Sequence, residues 1–154
     1  NMVFIGGFDS ANLRDELVNK VANGPAHGRI HFAGSVEDVP AHLASADLAF
    51  SMASQPEAFG RAVIEAGACG VPVIASKHGG SLETVLDGKT GWLVPPNDPE
   101  TLAATIATAL DQPELLQSFG RAGRVHVVEE FSIDAAIAQE AAAYSRLLGP
   151  ADQP

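Results

Sequence analysis

The sequence predicts an α/β protein with an open, doubly wound parallel sheet and a helical C-terminal third. Short apolar segments alternate with amphipathic helical segments along most of the chain, and strands separated by such helices pair in parallel. Several apolar segments are hydrophobic on both faces, as expected of strands that helices cover on both sides. These two features together predict the fold class.

Five segments have the length and apolar character of strands. They cover residues 2–5, 29–33, 47–51, 71–75 and 91–94. Gly6, Gly34 and Pro95 follow three of them and are typical of strand ends. Ligands of doubly wound sheets bind at the carboxyl ends of the strands. The loops that follow the strands are therefore where a site is expected.

Four helices are predicted between the strands, each from apolar residues on one face or from a residue suited to capping. They are a helix capped by Asp9 or Ser10, residues 37–45, residues 59–69, and a short helix opened by Gly79 and Gly80. Gly70 stops the third of them, since glycine is favoured just past a helix C-terminus.

Three further helices make up the last third of the chain. Asp98 is predicted to cap the first, with Pro99 in its first turn. The second runs from Pro113 to about residue 128, and the third over residues 132–148. The third helix carries an apolar stripe in which Tyr144 is predicted to be core. No linker interrupts the pattern, so we predict one domain over residues 1–149 and a frayed tail over residues 150–154.

Composition narrows the function classes. The 154 residues include 19 acidic and 9 basic side chains, and the net charge of −10 argues against nucleic acid or an anionic membrane as the main partner. No apolar run approaches the ~20 residues of a membrane span. The single cysteine, Cys69, excludes an internal disulfide and fits a reducing cytosol. The first residues lack signal-peptide features and look like a strand already under way, so we expect a longer chain that begins upstream.

Two glutamates flank a glycine in the segment SQPEAFGRAVIE, residues 54–65. Glu57 precedes the predicted helix and Glu65 lies about two turns inside it, roughly 12 Å away if all the intervening residues are helical. Cooperating carboxylates in sugar hydrolysis lie about 5 to 9 Å apart. The wider spacing suits two acceptors that hold opposite ends of an elongated, hydroxyl-rich ligand, with Gly60 letting backbone N–H groups approach an anion. On spacing alone, a helix-dipole partner and a solvated face remain open explanations.

The same segment resembles the E-x7-E signature of retaining glycosyltransferases of the two-domain GT-B architecture, in particular family 4, also called group 1. The resemblance continues in order through residues 65–76, Gly79-Gly80 and residues 87–99. It covers essentially the whole chain, since residues 2–6 and 30–34 look like the preceding strands. It implies a Rossmann-like domain, the C-terminal nucleotide-sugar-binding half of such an enzyme, lacking its first strand and helix.

In this family a sugar is transferred from a nucleotide-sugar, of UDP or GDP type, to an acceptor hydroxyl with retention of configuration. The resemblance implies that Glu57 is the catalytic residue and contacts the transferred sugar, and that Glu65 holds the ribose diol. It also implies main-chain contacts at two segments. These are Ala58, Phe59, Gly60 and Arg61 with the sugar and diphosphate, and Gly34, Ser35 and Val36 with the base.

The resemblance also implies partners and cofactors. The sequence has no Asp-x-Asp pair, which agrees with a GT-B site that uses neither a metal nor another cofactor. The family's acceptor-binding N-terminal domain, and the basic residues that touch the diphosphate, have no counterpart in this sequence, so we expect the chain to bind nucleotide weakly and to transfer nothing. The amino-acid sequence resembles those of bacterial enzymes of lipopolysaccharide or polysaccharide synthesis. That implies a cytoplasmic enzyme at the inner face of the cytoplasmic membrane.

Several assignments stay open at this stage. Gly79 and Gly80 are candidates for an anion or sugar contact, and a tight turn that needs positive φ explains them equally well. The side chains of Arg61, Lys77 and His78 lie near the predicted cleft without an assigned role. The alternatives to a glycosyltransferase are a GT-B-like nucleotide-sugar epimerase or phosphorylase, and a non-enzymatic doubly wound binding module.

Overall fold

Residues 1–148, the part of the chain that the computed structural model describes, form five strands and seven helices. The strands are β1 (Met2–Ile5), β2 (Ile30–Gly34), β3 (Ala49–Ser51), β4 (Val73–Ser76) and β5 (Gly91–Val94). The helices are α1 (Ala11–Ala22), α2 (Val39–Ala44), α3 (Arg61–Ala68), α4 (Ser81–Thr84), α5 (Pro99–Leu110), α6 (Pro113–Phe131) and α7 (Ile133–Leu148). The tail predicted over residues 150–154 lies outside the described residues.

The chain forms two compact units, Asn1–Ala41 and a second that begins at His42. In the first, β1 and β2 pair in parallel. Phe32 of β2 contacts two other aromatic rings, with centroid distances of 5.3 Å to Phe4 and 5.5 Å to Phe8. Ser10 caps α1, as one of the two predicted candidates. The prediction of a single domain stays a prediction.

In the second unit β4 is the central strand, paired in parallel with β3 and with β5. All four residues of β4 are buried, as expected of a strand covered on both faces. The core combines this strand with α3 and the segments beside it. Its buried members are Val63, Ala66, Val71, Val73, Ala75 and Val85. The parallel α/β class predicted from the sequence is confirmed.

Helices α3 and α6 pack closely because glycines form their contact. A Cβ on Gly67 would lie 2.8 Å from Val127 Cγ2, and a Cβ on Gly120 would overlap the carbonyl oxygen of Gly70. The Arg124 guanidinium donates a hydrogen bond to the carbonyl of Ala68 at the end of α3. Lysine and arginine side chains commonly satisfy helix C-termini in this way. Helix α3 is thus fixed along its length and at its end.

The start of α3 and the burial of α7 differ from the predictions. Helix α3 starts at Arg61 and not near residue 59, because Gly60 adopts a left-handed φ of +75° that a continuing helix excludes. The prediction that Tyr144 is core is wrong, since 61% of the residue is exposed. Ile133, Ile137 and Leu148, which belong to the same apolar stripe of α7, are exposed as well. The main neighbour of α7 among the described elements is α6. The periodic pattern therefore correctly indicates an apolar face, but no described helix or strand covers that face.

The cap of α5 provides the first testable prediction. Asp98 accepts hydrogen bonds from the hydroxyl of Thr101 (2.6 Å) and from its backbone N–H (2.9 Å), and these lower the pKa of the carboxyl from 3.8. Because the folded-state pKa is the lower one, the stabilisation is present above the unfolded-state value and is lost as the pH falls through the folded-state value. We expect the free energy of unfolding of wild type, measured by urea unfolding, to fall over that acidic range.

The matched variant is Asp98→Asn, since asparagine caps helices about as well as aspartate but does not titrate. It should stay close to wild type at neutral pH and show a smaller loss of stability in acid. An acid loss as large as that of wild type would mean that Asp98 does not contribute to it.

Candidate functional site

The loop after β3 and the turn after β4 meet at the carboxyl edge of the second sheet. The backbone N–H of Gly80 donates to the carbonyl of Glu57 at 2.8 Å. Gly79 faces the backbone of Glu57 so closely that a Cβ would overlap it, and a Cβ on Gly80 would lie 2.5 Å from the Phe59 backbone. The structure therefore brings together two segments that the sequence analysis singled out separately, and close approach explains both glycines.

The carboxylate of Glu57 lies at the Gly60 turn that opens α3. A Cβ placed on Gly60 would be 3.8 Å from Glu57 Oε2 and 3.8 Å from Ser81 Oγ, so an acceptor and a hydroxyl flank the same turn. Ser81 was missed by the sequence analysis. Its position directly after two glycines, at the start of α4, was the available signal.

The N-terminus of α3 is left without a cap. Gly60 has no side chain to offer, and the first turn contains no acidic residue. The backbone N–H of Val63 donates to the carbonyl of Gly60 at 3.0 Å. Within the described residues, the N–H groups of Arg61 and Ala62 donate to no backbone carbonyl. The amides of Arg61 and Ala62 are therefore available at the positive end of the helix dipole. This arrangement can bind an anion such as a phosphate.

Glu65 lies on the exposed side of α3 and carries an ion pair with Arg61. Arg61 Nη2 is 3.4 Å from Glu65 Oε1, with 85% and 45% of the two side chains exposed. An exposed pair in this order along a helix contributes little to stability. The contact places the Arg61 charge beside the carboxylate that is predicted to hold a ribose.

The other cleft residues have defined partners too. Lys77 Nζ is 4.0 Å from Asp87 Oδ2 in an exposed ion pair. His78 Nε2 is 3.0 Å from the carbonyl oxygen of Ala53. Since a carbonyl only accepts, His78 donates from Nε2.

The predicted base-binding segment lies in the first unit and begins with the last residue of β2. Gly34 has a φ of +71°, and its carbonyl accepts from the N–H of Gly6 at 2.8 Å. Ser35 Oγ is 3.8 Å from where a Cβ on Gly7 would be. Within this unit the carboxyl ends of β1 and β2 thus meet, and the base contact assigned to Gly34, Ser35 and Val36 stays a prediction.

Residues 1–148 lack two features that would suggest other kinds of site. No three histidine, cysteine, aspartate or glutamate side chains there are grouped so that they could hold a metal ion. Over the same residues, every helix is too short or too polar to cross a bilayer.

Comparison with known proteins identifies relatives. The family model for glycosyl transferases group 1 matches residues 1–126. A GDP-mannose-dependent alpha-(1-6)-phosphatidylinositol monomannoside mannosyltransferase of Mycolicibacterium smegmatis is 41% identical over 95 residues, which is 57% of this chain and 25% of that protein. The N-acetyl-alpha-D-glucosaminyl L-malate synthase of Bacillus anthracis is 32% identical over 132 residues, 86% of this chain and 34% of that one.

A solved structure shows the same fold. Anabaena HepE, crystallised with UDP, superposes with a TM-score of 0.86 at 28% identity and covers 94% of this chain and 40% of its own. Fold and site together thus define the chain as an example of the C-terminal domain of GT-B glycosyltransferases. The chain belongs to the glycosyl transferases group 1 family. It spans between a quarter and about a third of the two curated relatives described above.

Proposed function

We propose that this chain is the donor-binding domain of a retaining glycosyltransferase that moves a sugar from a UDP- or GDP-sugar to an acceptor hydroxyl. The observation that carries the proposal is the Glu57 carboxylate beside the Gly60 turn, at the uncapped N-terminus of α3. The relatives support it, because one is named for its dependence on GDP-mannose and another was crystallised with UDP. Their names favour glycosyl transfer over epimerase, phosphorylase or purely binding roles.

In the proposed complex the diphosphate lies at the free amides of α3. Preorganised N–H groups stabilise the charge that develops on a departing diphosphate, and this electrostatic contribution is usually the largest in such reactions. Glu57 accepts hydrogen bonds from hydroxyls of the transferred sugar, and the backbone of residues 58–61 borders the sugar and diphosphate. Glu65 accepts from the ribose diol. We propose separately that the main chain of residues 34–36 contacts the base.

We propose that the reaction needs neither a metal nor a cofactor, since helix amides and nearby cations take the place of a bridging metal ion. Arg61 supplies one such cation at the start of α3. This expectation is testable without a structure, because donor binding should be unchanged by a strong chelator.

The proposal assigns the acceptor to a different part of the enzyme. Because the chain spans only part of its relatives' length, we propose that an N-terminal domain binds the acceptor and that the isolated chain binds donor without turnover. We place the intact enzyme in bacterial lipopolysaccharide or polysaccharide synthesis, in the cytoplasm and at the inner face of the cytoplasmic membrane.

Glu65→Ala is expected to remove nucleotide binding. The carboxylate is the predicted acceptor for both ribose hydroxyls, and loss of hydrogen bonds to a charged group costs about 1.5–3 kcal/mol each. Ligand-observed NMR of the chain with UDP, GDP and their sugars measures this directly. Glu129→Ala is the matched control, an exposed glutamate on α6. Binding that survives Glu65→Ala would contradict the ribose assignment.

Glu57→Ala distinguishes the role of Glu57 from that of Glu65 in the same experiment. It should weaken binding of the nucleotide-sugar while leaving binding of the nucleotide alone close to wild type. In the intact enzyme it should abolish transfer, and full turnover by that variant would contradict the sugar contact.

A further inference from the structure

The loop that carries Glu57, residues 52–60, is joined to the segment after β4 by two hydrogen bonds. The Gly80 N–H donates to the Glu57 carbonyl at 2.8 Å, and His78 Nε2 donates to the Ala53 carbonyl at 3.0 Å. The first bond fixes the middle of the loop and the second fixes its beginning. Between them, residues 54–56 are exposed.

The two bonds differ in what they require of the sequence. The Gly80 bond uses backbone atoms, whereas the His78 bond needs a side chain with a donor at the distance of Nε2. A tight turn presents that side chain, since the His78 N–H donates to the Ser76 carbonyl two residues back at 2.8 Å. The ring is half-buried, and its Nδ1 is buried and bonds to nothing in the described residues. The hydrogen bond to Ala53 is thus the polar contact that orients the ring.

We propose that His78 is a positioning residue of the donor site, which holds the loop over residues 52–60 so that Glu57 faces the transferred sugar. The proposal rests on the function proposed above and adds a residue to it. His78 acts through Ala53 and needs no contact with the substrate.

The same geometry predicts which part of the donor depends on His78. Glu57 lies on the loop that His78 holds, whereas Glu65 lies on α3, which the buried residues Val63 and Ala66 fix to the core. Loss of the His78 bond should therefore weaken recognition of the sugar, whereas the nucleoside diphosphate, held by Glu65 and by the amides of Arg61 and Ala62 on α3, should bind as before. A purely structural histidine would affect both ligands alike.

Two amide substitutions distinguish the ring nitrogens. Glutamine places its amide nitrogen near the position of Nε2, and asparagine places it near Nδ1, so His78→Gln keeps the donor to Ala53 and His78→Asn loses it. Because a hydrogen bond contributes about 1 kcal/mol, we expect His78→Asn to weaken binding of UDP-glucose or GDP-mannose by about fivefold to tenfold. His78→Gln should bind within about twofold of wild type, and UDP or GDP alone should bind equally to all three proteins.

The controls separate this proposal from the one it rests on. His31→Asn replaces an exposed histidine of β2 and should change nothing. If wild type binds neither nucleotide-sugar, the proposed function fails, and this inference with it. If wild type binds but His78→Asn binds the sugar donor equally well, or if both variants lose UDP and sugar donor to the same degree, His78 is not a positioning residue.

A measurement on the wild-type chain covers the case in which a variant does not fold. The ¹⁵N shifts of the His78 ring should show a hydrogen on Nε2. A neutral ring with its hydrogen on Nδ1 would exclude the bond to Ala53 and overturn the proposal.

Discussion

Gly120→Ala is expected to lower the free energy of unfolding by about 2 kcal/mol. Gly120 on α6 faces backbone, so an added methyl group would overlap the Gly70 carbonyl and lie 3.3 Å from Pro72 Cδ. Overpacking of this kind costs up to about 3 kcal/mol, while alanine gains about 1 kcal/mol over glycine inside a helix. Urea unfolding followed by circular dichroism measures the difference.

Gly123→Ala is the matched control, because Gly123 is also buried and lies three residues further along α6. A methyl group there would meet nothing closer than 3.8 Å, an ordinary contact with Gly67 and Thr90. We expect this variant to be more stable than wild type by up to about 1 kcal/mol, from helix propensity alone. A change of stability in the same direction in both variants would contradict the close approach of Gly120 to the Gly70 carbonyl.

Gly79→Ala is expected to weaken binding of the nucleotide-sugar by about tenfold. The added methyl group would overlap the carbonyl oxygen of Glu57 and lie 2.9 Å from its backbone nitrogen, so the loop must move away from the turn. Because Glu57 is the predicted sugar contact, its displacement should remove that contact and weaken nucleotide-sugar binding. Calorimetric or NMR titration with UDP- and GDP-sugars reports the change.

The matched control is Gly88→Ala, which separates the contact from backbone strain. Gly79 and Gly88 have similar positive φ values, +56° and +72°, but a Cβ on Gly88 would meet no atom within 4 Å. Both variants carry the cost of a left-handed alanine, about 1 kcal/mol, which thermal unfolding should show. Equal loss of binding in the two would attribute the effect of Gly79→Ala to strain alone.

Features of the fold that depend on neighbours in the sequence were predictable. Asp98 and Pro99 specify the start of α5 locally, by a side-chain cap and a fixed φ, and the structure confirms both. The start of α3 was not predictable to the residue, since the left-handed φ of Gly60 depends on the packing of its loop. The exposure of Tyr144 could not be predicted either, because periodicity identifies an apolar face and says nothing about the element that covers it.

The candidate site divides in the same way. The resemblance singled out Glu57, Gly60 and Glu65, since they belong to one short segment. The contact of Gly79 and Gly80 with that segment required the fold, which brings together residues about twenty positions apart. The bond between His78 and Ala53, and the position of Ser81 beside Gly60, have no sequence signal of comparable strength.

The hydrogen bond and glycine contacts between residues 57–59 and residues 79–80 have a practical consequence for engineering donor preference. A chimaera that imports residues 52–60 from another transferase would set a foreign backbone against a turn shaped for the native one. Residues 77–81 should therefore be exchanged together with residues 52–60, as a single cassette.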